Sequence, residues 1–134
     1  MTHMHLLPDG WKQPIGYSNG MVASGTMIFL GGQIGWNENQ VFEAQTFAEQ
    51  FEQTLNNIAV LLSEAGAAPK DLVRLTWFIT DKSEYLANLK EIGRIYRSIF
   101  GAHYPAMSVV QVADLIEDAA KIEIEATAVI KGDF

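Results

Sequence analysis

The chain has 134 residues, 49% of them hydrophobic and 19% charged, with no cysteine and a formal net charge of −7. That size and balance fit one packed domain over residues 1–134 and exclude a disordered or fibrous chain. The acidic surplus repels phosphate backbones and argues against nucleic acid as a partner, and the lack of cysteine removes disulfides, thiolate metal sites and a cysteine nucleophile.

The opening segment MTHMHLLPDGWKQP has no basic stretch leading into an apolar run. Nowhere does an apolar run reach the roughly 18 residues that a membrane span needs, so a cytoplasmic protein with no membrane partner is expected. His3 and His5 read as part of a solvated N-terminal arm, and with His103 as the only other histidine no metal site is expected. MVASGTMIFLGGQIG, residues 21–35, reads as two short strands turning at Ser24-Gly25, with Met27 to Leu30 as the second and Gly31-Gly32 ending or bulging it.

From Glu43 to Ala65 the apolar residues Phe47, Phe51, Leu55, Ile58 and Leu62 recur at steps of three and four, the spacing of one helix face, and Gly66 is a stop signal. VRLTWFIT, residues 73–80, alternates as a half-buried strand with Val73, Leu75, Trp77 and Ile79 on one face. Asp81 with Glu84 resembles a capping box opening a second helix. Its apolar stripe is Leu86, Leu89, Ile92, Tyr96 and Phe100, with Lys90, Glu91, Arg94 and Arg97 facing outward. MSVVQV (107–112) and KIEIEATAVI (121–130) are the last strands, joined by an acidic loop; Ile122, Ile124, Ala126 and Ala128 share one face of the second, and Lys121, Glu123, Glu125 and Thr127 the other. The order β, β, α, β, α, β, β predicts an α+β domain with two helices on one face of a sheet. The other face, with Phe78 and Val129 among its residues, needs a partner, which suggests a homo-oligomer.

Gly31-Gly32-Gln33-Ile34-Gly35 follows a strand without opening a helix and lacks the lysine of a phosphate-binding loop, and no serine stands in a nucleophile elbow. Glu123 and Glu125 project to the same side about 7 Å apart. On an open strand they are solvated carboxylates; shut in a cleft, one becomes a general base that orients water. Tyr17 has two readings as well, packing at a core or interface, or donating its hydroxyl to a ligand.

PIGYSNG, MIFLGGQIG, NNIAVLLSEAGA with DLVRLTWFITD, YPAMSVVQVADL and KIEIEATAVI, in order from Pro14 to Ile130, resemble the YjgF-type reactive-intermediate deaminase (Rid) family, also called the endoribonuclease L-PSP family. The resemblance implies a chorismate-mutase-like α+β domain with a mixed β-sheet, assembled as a homotrimer with small-molecule clefts between subunits. It further implies hydrolysis of enamines and imines, such as 2-aminoacrylate, with no metal and no cofactor. The family's cleft tyrosine falls on Tyr17 and its water-positioning glutamate on Glu123. The arginine that clamps a substrate carboxylate in the motif Pro-Ala-Arg-Ser falls on Met107. A serine before Gly-Gln, an asparagine in the second helix and a frequent cysteine fall on Gly31, Gly93 and Val109.

A thioether in place of a guanidinium removes two charge-assisted hydrogen bonds, at a cost of about 2 to 5 kcal/mol. The resemblance therefore implies a deaminase acting on a ligand other than simple 2-imino acids, or one in which Arg94, Arg97, Lys121 or His103 holds the carboxylate, with Arg94 beside Gly93 as first candidate. The alternative is a non-catalytic metabolite-binding or stress-protective trimer. Ribonuclease activity, which the family's older name records, is opposed by the charge of −7.

Overall fold

A computed structural model describes residues 3–131. Six strands, β1 (Met4–His5), β2 (Met21–Val22), β3 (Thr26–Ile34), β4 (Leu72–Ile79), β5 (Ala106–Gln111) and β6 (Ile122–Ile130), combine with three helices, α1 (Phe47–Glu64), α2 (Lys82–Ala87) and α3 (Leu89–Phe100). The main sheet has the order β3-β6-β4-β5, with β6 antiparallel to both neighbours and β4 parallel to β5. A parallel pair needs a crossover, and α2 and α3 supply it. α1 packs on β3, β6 and α3, so the helices lie on one face of a mixed sheet.

The hairpin expected at Ser24-Gly25 does not form. β2 pairs with β1, Met4 opposite Val22, and β3 runs nine residues antiparallel to β6 from Thr26 opposite Ile130. Gly25 still makes the corner: its φ is +139°, and a Cβ there would stand 2.0 Å from the Ile130 carbonyl oxygen. Gly31-Gly32 bulges β3, since the register with β6 shifts between Leu30 and Gln33. A second shift, between Leu72 and Arg74, puts Leu72 in the core in place of the expected Val73, in line with Leu75, Trp77 and Ile79.

α1 begins at Phe47, later than the expected Glu43, because Thr46 caps it. The Glu49 amide donates to Thr46 Oγ1 at 3.2 Å and the Thr46 amide to Glu49 Oε1 at 3.0 Å. The stripe Phe47, Phe51, Leu55, Ile58 and Leu62 is buried as its spacing requires. Asp81 caps α2, accepting from the Glu84 amide at 3.1 Å. The expected second helix is broken at Asn88, whose side-chain amide donates to the Glu84 carbonyl at 2.7 Å, so three helices replace the predicted two. Leu86 and Leu89 leave the core as a result, while Ile92, Ile95, Tyr96 and Phe100 stay in it.

The N-terminal arm is largely exposed, as expected, but His3 and His5 tether it by hydrogen bonds. His3 Nε2 donates to the Val129 carbonyl at 2.7 Å, and His5 Nδ1 lies 2.6 Å from Ser18 Oγ, its ring edge-on to His103. The sheet face away from the helices carries Phe29, 71% exposed, with Met27, Val110 and Glu125 also exposed. No helix among the described residues is long and apolar enough to cross a membrane.

Candidate functional site

Parallel pairing sets Met107 beside Leu75 and Val109 beside Trp77, so both side chains turn toward the helices. There they form the floor of a half-open cleft of about 610 Å³ at the β5 edge of the sheet. α2 and α3 supply one wall with Tyr85, Leu89, Ile92, Gly93, Tyr96 and Arg97. The N-terminal arm supplies the other with Ile15, Gly16 and Tyr17. The arm is held by Ser18, whose amide donates to the Pro105 carbonyl at 3.0 Å and whose hydroxyl bonds the Tyr104 carbonyl. The volume suits a ligand larger than a three-carbon acid.

The cleft is aromatic. Tyr96 and Tyr104 stack with ring centroids 5.1 Å apart, and Trp77 meets Tyr85 edge-on at 6.3 Å. The Tyr96 hydroxyl donates to the His103 carbonyl at 2.6 Å, and burial, then the neighbouring Tyr104, pushes its pKa far up, so it stays a neutral donor. Burial also raises Tyr85. The buried Trp77 Nε1 has no hydrogen-bond partner among the described residues, leaving an indole N–H unanswered beneath the cleft floor.

Of the four cations considered from the sequence, Arg97 alone lines the cleft. It stands one helical turn after Gly93, and a Cβ at Gly93 would come 3.3 Å from Arg97 Nη1, so the guanidinium lies over the bare glycine backbone. Arg94, the first candidate, turns away: it pairs with Glu91 and lines a separate groove with Glu52 and Asn56. Lys121 pairs with Glu84 at 3.4 Å. His103 Nε2 donates to the Leu72 carbonyl at 2.8 Å, and burial lowers its pKa.

Tyr17, Gly93, Met107 and Val109 thus line one cleft, while Gly31 and Glu123 do not reach it. Gly31 lies on β3, the opposite edge strand, three strand spacings or about 14 Å from β5. Glu123 lies on β6 opposite Phe78, on the face away from the helices, its carboxylate over the bulge at Gly32. The aromatic cleft lies at the β5 edge of the sheet, and the Glu123 carboxylate stands apart from it on the opposite face near β3. Among the described residues no group of three or more His, Asp or Glu side chains is placed to hold a metal ion.

Residues 12–130 match the family described as endoribonuclease L-PSP. The chain belongs to this family, the Rid family. The 2-iminobutanoate/2-iminopropanoate deaminase of Escherichia coli K12 is 35% identical over 108 residues, covering 78% of this chain and 80% of the relative. Among solved structures, the Rid-family protein YyfB of Yersinia pestis superposes with a TM-score of 0.86 at 33% identity, covering 97% of this chain and 100% of that one. The YjgF product of E. coli gives 0.68 at 36% identity, covering 86% and 88%. The α+β architecture with a mixed sheet is therefore the Rid fold. Trp77 and Tyr96, expected in the core, line the cleft as well, and Arg97, expected to face outward and one of the four cations considered, joins them.

Proposed function

We propose that this Rid protein is a homotrimeric imine or enamine hydrolase whose cleft is completed between subunits, acting on a ligand other than simple 2-imino acids. The separation of Glu123, on β6 and the face away from the helices, from the aromatic cleft at the β5 edge carries this reading. A heterologous interface that closes into a ring brings the β3 edge and Glu123 of one chain to the β5 edge of the next, and covers Phe29 and Met27 as it does so. The deaminase activity named for the E. coli relative supports the reaction class.

In that composite site Glu123 takes a proton from water as the oxygen attacks the imine carbon. The C=N bond becomes a C–N single bond, the nitrogen is protonated, and the carbinolamine then loses ammonia to leave a carbonyl. The balance is one imine plus one water giving one carbonyl plus ammonia, with no redox step. Tyr17 donates to the substrate from the facing wall. Met107 offers no charge where the family motif has arginine, so a small 2-imino acid finds no clamp on the floor.

Release of carbonyl product from imines generated by an amino-acid oxidase tests the reading. Wild-type turnover that Glu123→Gln removes supports it, as does a gain on 2-iminopropanoate in Met107→Arg. Turnover untouched by Glu123→Gln, or a monomer in sedimentation, contradicts it. Saturable binding without product would favour the alternative, a metabolite-binding trimer, which the uncharged Met107 floor also suits.

A further inference from the structure

The positive charge of the cleft stands on the helix wall, not on the strand floor. Arg97 reaches over Gly93, whose missing side chain leaves the guanidinium room against α3, and it makes no ion pair among the described residues. The other three cations are engaged elsewhere, with Glu91, Glu84 and the Leu72 carbonyl. Below Arg97, Met107, Val109 and Trp77 form a continuous apolar floor flanked by Tyr17 and Tyr85. A guanidinium at the rim above an apolar, aromatic trough is complementary to a molecule with an anionic head and a bulky apolar body. A two- or three-carbon acid held at Arg97 would leave most of the roughly 610 Å³ to water.

We infer that Arg97 is the anion-binding residue of this cleft and that it selects imines of carboxylic acids bearing a large apolar or aromatic side chain, the carboxylate on Arg97 and the side chain over Met107 and Val109. The inference rests on the reading of the cleft as the substrate site, but not on turnover. Arg97 is a binding residue in this arrangement; Glu123 remains the base. Gly93 is part of the same device, because any side chain there competes with the guanidinium for space.

The stable probe is phenylpyruvate, the carbonyl product expected from the imine of phenylalanine, titrated calorimetrically into the full-length protein beside pyruvate and the uncharged phenylacetone. Phenylpyruvate should bind at least about 10-fold more tightly than either. Arg97→Met should weaken phenylpyruvate about 10- to 30-fold and leave phenylacetone unchanged, whereas Arg94→Met should change neither. Both arginines are exposed on α3, so neither variant threatens folding. Equal binding of pyruvate and phenylpyruvate would overturn the size selection. Undiminished phenylpyruvate binding in Arg97→Met would overturn the role of Arg97. Arginine-dependent binding without turnover of any imine would uphold the anion site while refuting the hydrolase reading, so the two fail separately.

Discussion

Gly32 and Glu123 approach so closely across the β3–β6 pair that a Cβ on Gly32 would stand 2.1 Å from Glu123 Oε2. The bulge at Gly31-Gly32 opens the space into which this carboxylate folds, so the backbone of one strand sets the position of a side chain on the next. Gly32→Ala should push the carboxylate aside, with turnover falling about 10- to 100-fold and stability by about 1 to 3 kcal/mol, since Glu123 Cγ at 2.9 Å and Cδ at 2.7 Å must move with Oε2. Steady-state kinetics beside urea melts check it; wild-type kcat in Gly32→Ala would deny Glu123 its position in the chemistry.

Gly93 presents the opposite trade. An alanine in the middle of α3 should stabilise the chain by about 0.5 to 1 kcal/mol through helix propensity, because the neighbour at 3.3 Å is the tip of Arg97 and gives way. The same substitution should weaken binding of an anionic ligand. A melt and a titration on the one variant should therefore move in opposite directions.

Gly35 is constrained by packing. A Cβ there would lie 2.7 Å from Gln50 Cβ and 2.8 Å from Gln50 Cα, and α1 has no room to retreat because Gln50 is buried. Gln50 also joins the helix to the loop before β6: Nε2 donates to the Ala119 carbonyl and Oε1 accepts from the Lys121 amide, both at 2.8 Å. Gly35→Ala should cost about 1 to 3 kcal/mol in a denaturant melt, and Gln50→Leu, which strands a carbonyl and an amide, a similar amount.

His103 makes stability depend on pH. Burial lowers its pKa, with His5 and His3 adding to the effect and the Leu72 carbonyl and Asp71 opposing it. A group whose folded pKa is depressed binds fewer protons folded than unfolded, so stability rises with pH through that window. The contribution is complete above the ordinary histidine value of about 6.5 and is lost as the pH falls below it. Urea melts across this window should show that slope in the wild type and a smaller one in His103→Gln.

The elements with clean periodicity were legible before any coordinates. α1 and β6 bury the predicted faces, and β4 does so at Leu75, Trp77 and Ile79, because a period of 3.6 or 2 leaves one arrangement that hides the apolar residues. The Thr46–Glu49 capping box is also present in the sequence, as a threonine followed three residues later by a glutamate, and it marks a start that apolar spacing alone does not fix. The pairing of β2 with β1 was not legible, since two-residue strands carry no period and their partner is chosen by the docking of the arm.

At the site, the resemblance located Tyr17, Gly93, Met107 and Val109 without saying which cation joins them. Helix phase held that answer. At about 100° per residue, Arg97 lies some 40° from Gly93 and Arg94 some 100°, so only Arg97 shares the cleft-facing row. No local pattern could show that Glu123 lies away from this cleft, because strand order is a property of the whole sheet.

Subunit complementation tests the composite cleft most directly. Glu123→Gln leaves the aromatic cleft intact, and Gly93→Trp blocks that cleft while leaving Glu123. Each variant alone should be inactive on an imine that the wild type turns over. Co-refolded at equal amounts, the two should recover about a quarter of wild-type activity, because each interface has one chance in two of an open cleft and one in two of an intact Glu123. No activity in the mixture beyond that of the separate variants would mean that the cleft and Glu123 do not meet across subunits, and would contradict the account.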